Sequence, residues 1–287
     1  MFNNVKEMVD AENDGKTWLT TWRKTPSVGI SSGVWFDMSM SPGNPVPNYY
    51  AAAPNIAVAL KQSTDGGIPH GSNVAPSKKF LKQFTVMGNS GGSSVPTPFM
   101  LCDYLLFYPF VDMSTTDEQF MDNTTKLPRS TDGKGVKILP VQVAGALGTG
   151  ITRFYVTYVN QDGVEGRVTP STQCNFQTVT GSIISSGPNI ARSQGPFLAL
   201  QPGDTGVRSI TSVTFLDADI GLIAFVLVKP VENTMLRTID APAERNCFVD
   251  MSSMPQIDDD AYLNLLCCPQ GSLASQAFHG IIQVIWE

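Results

Sequence analysis

The sequence predicts a mainly β protein, an antiparallel β-sandwich or barrel with a short helical N-terminal arm. Three observations lead there. From residue 28 onward, apolar residues fall in short runs between clusters of Gly, Pro, Asn and Asp, the pattern of strands and turns. Only 15% of the residues are charged, against about 25% in an ordinary globular domain, so the Glu, Lys and Arg of a helical protein are missing. Helix and strand signals also do not alternate, which excludes a doubly wound fold.

Helical periodicity is confined to the start. Phe2, Val5, Met8 and Val9 are spaced for one helix face, predicting a helix over roughly residues 2–12. Gly15 ends it, and Trp18, Leu19 and Trp22 read as a second turn or two before Pro26. Residues 1–26 thus form a helical arm and residues 27–287 a β-rich body, which divides, if at all, near residue 145. Strands are expected at Lys79–Met87, Met100–Phe110, Lys137–Ala144, Thr152–Val159, Ser209–Leu216, Gly221–Val228, Asn246–Asp250, Tyr262–Cys267 and Gly280–Trp286. The clearest is Thr152–Val159, where β-branched and aromatic residues recur. It runs into Asn160-Gln161-Asp162-Gly163, whose Asp-Gly supplies the positive φ of a tight hairpin, with Glu165–Thr169 as the return strand. An apolar-Asp-Met-Ser pattern occurs at Phe36–Ser39, Val111–Ser114 and Val249–Ser252. Either a strand end is capped by Asp while Met packs back, or a module is duplicated.

Composition removes several classes of function. The net charge is 19 − 25 = −6 and no basic run exists, which argues against a specific nucleic-acid partner and against a polybasic membrane patch. The most apolar run, Leu222–Val228, is too short to span a bilayer. Met38–Leu60 carries no charge but contains Pro42, Pro45, Pro47 and Pro54, which makes it an ordered loop. The N-terminus lacks the basic start and apolar stretch of a signal peptide. Cys102, Cys174, Cys247, Cys267 and Cys268 fit no disulfide scaffold and no zinc spacing. Free thiols from a reducing cytoplasm are expected.

Candidate chemistry is sparse. Gly88-Asn89-Ser90-Gly91-Gly92 satisfies the G-x-S-x-G pattern of a serine nucleophile, but only His70 and His279 could serve as its base. No Asp lies between His70 and Ser90, and Pro96 and Pro98 block the helix that a nucleophile elbow needs. Asp258-Asp259-Asp260 could gather a hard cation, yet neighbouring side chains on an extended chain alternate faces, and a solvated acidic loop is the simpler reading. Cys267-Cys268 is not a C-x-x-C pair. No catalytic residue, metal site or cofactor is expected. Trp35, Tyr49 and Tyr50 flank the stretch Ser41–Asn48, and rigid loops bearing aromatics suit binding surfaces. They could equally close one end of a sandwich. Trp18 and Trp22 belong to an arm too short to be stable alone, so they pack against a neighbouring subunit or against their own body. These five aromatics are the candidate interface residues.

Several stretches resemble virion structural proteins of tailed bacteriophages. They are Gly33-Val34-Trp35-Phe36-Asp37-Met38-Ser39-Met40-Ser41-Pro42-Gly43-Asn44-Pro45 with Tyr49-Tyr50-Ala51, Tyr108-Pro109-Phe110-Val111-Asp112, Met121-Asp122-Asn123, Leu127-Pro128-Arg129, Asp132-Gly133-Lys134-Gly135-Val136, Val156–Val164 and Gly203–Ser209. The resemblance implies a non-enzymatic component of the virion, on the phage head and made in the host cytoplasm. The first expectation is a decoration or cement protein, a homo-oligomer whose partners are the major capsid protein and copies of itself. A collar, neck or tail component is the alternative. The major capsid protein itself fits less well, since the long helix that resemblance would imply is not found. A serine hydrolase built on Ser90 and a carbohydrate-binding attachment module with Trp35 and Tyr49 as stacking platforms are the remote alternatives.

Overall fold

The computed structural model describes residues 2–88, 94–145, 152–175, 177, 179–187, 194–251 and 253–287. These residues form a mainly β protein of antiparallel sheets with one short N-terminal helix, α1 (Val5–Asn13). Asn4 caps α1 by accepting a hydrogen bond from the Glu7 amide at 3.0 Å, satisfying one of the free donors of the first turn. Met8 and Ala11 turn inward onto Phe80 and Ile285.

The central sheet contains the longest strands. It is ordered β2 (Phe36–Asp37), β16 (Leu263–Cys267), β6 (Thr97–Asp112), β13 (Leu222–Leu236) and β8 (Lys137–Ala144), with β4 (Val58–Ala59) also pairing to β6. Alternation sends successive side chains of β6 to opposite faces. Phe99 and Leu101 enter one core, and Leu105 and Tyr108 a second. Cys102, Tyr104 and Phe107 enter a third. Register shifts against β13 let one long strand serve successive cores.

Two further sheets pack on this one. The first is ordered β14 (Ala243–Asn246), β5 (Lys79–Gly88), β17 (Phe278–Trp286), β1 (Thr17–Lys24) and β3 (Gly43–Asn44), with β15 (Gln256–Ile257) beside β5. Its Trp22, Phe84 and Ile282 pack with Phe99 and Leu265 of the central sheet. The other is ordered β10 (Arg167–Val168), β9 (Arg153–Asn160), β12 (Val207–Phe215) and β7 (Gln119–Phe120), with β11 (Thr172–Gln173) beside β9. Its Phe154, Val156, Ile210 and Phe215 pack with Leu105, Ile223 and Phe225. Strands from both sides of residue 145 share the central sheet and share the β9–β12 sheet, so that position separates no two sets of strands. The expected hairpin closes as read. Gly163 has φ +80°, and Asn160 Oδ1 accepts the amides of Asp162 and Val164 at 3.0 and 2.9 Å.

The N-terminal reading needs one correction. Trp18, Leu19 and Trp22 are not helical; they lie on β1, paired to β17 from Thr17↔Ile285 to Lys24↔Phe278. Thr17, Thr20 and Thr21 already disfavoured a helix, because a β-branched side chain loses χ1 freedom there, and the β17 edge satisfies the whole segment. The expected strand at Asn246–Asp250 is also displaced: β14 ends at Asn246, and turn follows.

Trp22 is almost fully buried, whereas Trp18 is 45% exposed. Trp22→Ala should therefore cost about 3–5 kcal/mol of unfolding free energy, and Trp18→Ala less than about 1 kcal/mol, in urea denaturation followed by circular dichroism. Equal costs would contradict the placement of β1.

Candidate assembly interface

The five aromatics singled out from sequence do not form one surface. Trp18 and Tyr49 are exposed, at 45% and 54%, while Trp22 and Tyr50 are core residues. Trp35 is half-buried against the third core. Reading Trp22 and Tyr50 as interface is thus corrected. Neighbouring aromatics separate because of the backbone: Tyr50 adopts φ +53°, and its amide donates to Asn48 Oδ1 at 2.9 Å. That turn points Tyr50 inward against Phe107, with ring centroids 5.2 Å apart, and leaves Tyr49 outside. The left-handed conformation costs roughly 1–2 kcal/mol, comparable to what burying an aromatic ring returns.

The uncharged stretch after residue 37 is a lid over the third core. Met40, Tyr50 and Leu60 come from it and meet Tyr104, Phe107, Val226 and Tyr262. Buried polar groups hold it down. The Asp37 carboxylate accepts four hydrogen bonds, from the Ser39 amide (2.9 Å), Ser39 Oγ (2.7 Å), Tyr50 Oη (2.5 Å) and Tyr104 Oη (2.8 Å). Burial pushes its pKa up from the ordinary carboxylate value, against the pull of these donors. Lys24 of β1 reaches under the lid and donates to the carbonyls of Pro45 (2.9 Å) and Ser41 (3.1 Å). Burial lowers its pKa to about 8, opposed by nearby Asp37.

Other stretches quoted for the resemblance also hold loops. Arg129 makes a two-pronged pair with Asp103 of β6, Nη2–Oδ1 2.7 Å and Nε–Oδ2 3.0 Å, and donates to the carbonyls of Leu60 and Tyr104. A carboxylate in a strand buried on both faces requires such a partner. Asp204 gathers Tyr158 Oη (2.5 Å), Asn160 Nδ2 (2.7 Å) and Arg167 Nε (2.9 Å), while Gln161 Oε1 accepts the amides of Thr205 and Gly206. Gly206 is required here, since a Cβ on it would sit 2.0 Å from the Gly133 carbonyl oxygen. The apolar-Asp-Met-Ser echo has a local cause at two sites. Asp37 and Asp112 each accept the amide two residues on, at 2.9 and 2.8 Å, and Met38 and Met113 are buried. Asp250 instead accepts the Asn246 amide at 2.6 Å, and Ser252 lies outside the described residues.

Ser90 also lies outside the described residues. The acidic triplet is occupied by loop amides: Asp259 accepts from Val74 and Ala75, and Asp260 from Ser63. Among the described residues, no group of three or more His, Cys, Asp or Glu is placed to hold a metal ion, and no helix is long and apolar enough to cross a membrane. All five cysteines are free thiols. Sequence reasoning missed the buried cluster at the start of β5. Lys79 Nζ lies 3.0 Å from His70 Nδ1 and 2.9 Å from the Ser72 carbonyl, and His70 Nε2 lies 2.9 Å from the Ala261 carbonyl. Lys79 looks like half of an exposed Lys-Lys pair in sequence, and only the β5 register turns it inward.

No protein-family model matches the chain, and no curated protein sequence matches it. Among solved structures, a mutant VP2 protein of infectious bursal disease virus in derived T=1 particles aligns over 94% of this chain and 77% of its own, at 7% identity and TM-score 0.20. The Gt strain of that virus aligns over 94% and 80%, at 7% identity and TM-score 0.20. A VP2 subviral particle aligns over 94% and 80%, at 6% identity and TM-score 0.20. This is a weak likeness to viral particle proteins, and TM-scores this low carry no argument about what the chain does.

The His70 environment sets a pH dependence. Burial, followed by the Lys79 charge, lowers its pKa from 6.5 to about 4. The unfolded chain therefore binds the extra proton first as pH falls. The stability that neutral His70 contributes is complete above pH 6.5 and is lost as pH drops toward 4, by about 3 kcal/mol in all. Denaturant midpoints measured between pH 7 and 4 should show this slope for the wild type and a shallower one for His70→Gln. Parallel slopes would place the acid sensitivity elsewhere.

Proposed function

We propose that the chain is a non-enzymatic structural protein of a tailed-phage virion, a decoration or cement protein that binds the assembled head as an oligomer. The observation that carries this reading is the use made of the resembling motifs. Asp37, Arg129, Gln161 and Asp204 fasten loops, Asp112 caps a turn and Gly206 allows a close approach to Gly133, and none is spent on presenting a nucleophile or a ligand set. A large charge-poor lid fastened to a sheet suits a protein covered by neighbours in an assembly, because interface cores are depleted of charge. Rigid loops also lose little entropy on docking. Binding the closed shell and not its free subunits lowers the free energy of the shell by mass action.

On this reading Trp18 and Tyr49, with Leu19 at 57% exposure, are the first residues to contact a neighbour. The double variant Trp18→Ser/Tyr49→Ser should fold with an unchanged melting temperature. It should sediment with pre-formed shells about tenfold more weakly, as expected when exposed aromatic anchors are lost. Unchanged co-sedimentation would remove these residues from the interface. Equal binding to shells and to unassembled capsid subunits would overturn the cement role, and one ring of copies per particle would assign the chain to a collar or neck.

In particles alkylated before lysis, the chain should migrate identically with and without reductant. A reductant-sensitive ladder would show that one of the five thiols links subunits.

A further inference from the structure

The cluster at the start of β5 holds more chemistry than a loop anchor needs. The Lys79 side chain is fully buried, while that of Asp259 is 26% exposed. Around Nζ stand His70 Nδ1 at 3.0 Å, the Ser72 carbonyl at 2.9 Å and Asp259 Oδ1 at 3.6 Å. The Ala261 carbonyl, 2.9 Å from His70 Nε2, assigns the ring proton to that nitrogen. The Nδ1 lone pair therefore faces the lysine. On the other side, the Asp259 carboxyl accepts the amides of Val74 (3.0 Å) and Ala75 (3.1 Å), two donors placed as in an oxyanion hole. Burial also lowers the Lys79 pKa below the ordinary lysine value, opposed by the Asp259 charge.

A nucleophilic amine, a proton acceptor on that amine and a polarised carboxyl group are the parts of amide formation. We propose that Lys79 and Asp259 are joined by an intramolecular isopeptide bond that the chain forms by itself, with His70 carrying the proton. Starting from the Lys79–Asp259 ion pair, Nζ passes one proton to His70 Nδ1 and attacks Cγ of the Asp259 carboxylate, and the Nζ–Cγ bond forms. Two of the three Nζ protons reach the departing oxygen, one of them through His70, the Cγ–O bond breaks and one water leaves. Nothing is oxidised or reduced. The product amide has a single N–H, which donates to His70 Nδ1 while the contact to the Ser72 carbonyl is given up, and its oxygen accepts from Val74 and Ala75. The bond ties the first residue of β5 to the segment preceding β16, so it links the first sheet to the central one whether or not the chain decorates a shell.

The test is the intact mass of the purified full-length chain under denaturing conditions, followed by tandem mass spectrometry of its peptides. The wild type should weigh one water less than its sequence, with the Lys79 and Asp259 peptides recovered as a joined pair. Asp259→Asn should reach the same linked mass, because ammonia leaves in place of water. Lys79→Met and Asp259→Ala should each show the full mass of their sequences. His70→Gln should slow the linkage about 100-fold, the usual contribution of a positioned base. A wild-type chain at full sequence mass after prolonged incubation at neutral pH would overturn the proposal, as would a water loss that persists in Asp259→Ala. Should Lys79→Met fail to fold, the Asp259 variants and the wild-type mass still decide.

Discussion

Strand β6 crosses the molecule with apolar side chains on both faces, and a strand of that kind cannot stand next to water. Exposing either face would forfeit burial worth roughly 1.5–3 kcal/mol for each large side chain. Two sheets cover one face along successive halves of the strand, and the lid formed after residue 37 covers the other. The lid has almost no regular hydrogen bonding of its own, so its backbone groups must find partners elsewhere. The Asp37 carboxyl group and the Lys24 ammonium supply some of them, and that is why these two groups are buried beneath it.

The same logic explains Asp103. Its charge sits within β6 itself and is tolerated because Arg129 meets it in a planar two-pronged pair while also binding two loop carbonyls. Arginine suits this position better than lysine, whose ammonium cannot hold both carboxylate oxygens and two carbonyls in one plane. Each of these buried charges thus fastens a loop to a sheet. Buried polar contacts are thus spent on connections, the parts of a β protein with the least regular hydrogen bonding.

Much of this was legible in the sequence, for physical reasons that differ by element. Lys137–Ala144 and Thr152–Val159 were placed to within a residue; the first is a short apolar run buried on both faces, and in the second alternation and β-branching survive because one face is buried. β1 was misread because Trp18, Leu19 and Trp22 satisfy a helical spacing by coincidence; its partner β17 lies at the other end of the chain, beyond any local window. Tyr49 and Tyr50 could not be told apart, since a single positive φ decides which one faces water. The cluster of His70, Lys79 and Asp259 left no sequence signal, because Asp259 lies far along the chain from the other two and only the fold brings it to them. The long uncharged stretch was correctly read as an ordered loop, yet nothing local revealed which face it would cover.

The pairing of β1 with β17 also orders events in time. A ribosome releases the N-terminal segment long before it reaches Phe278, and β1 has its full-length partner only once that last strand has emerged. Until then Trp22, Leu81 and Phe84 lack the strand that lies between them in the finished sheet. The first sheet therefore assembles after synthesis, through contacts of very high sequence separation, which are slow to form. The β9–β12 layer, closed by nearer contacts, can organise while the chain is still growing. A newly made copy thus passes through an interval with one half built and an apolar strip uncovered, when chaperones and competing chains have their best access to it.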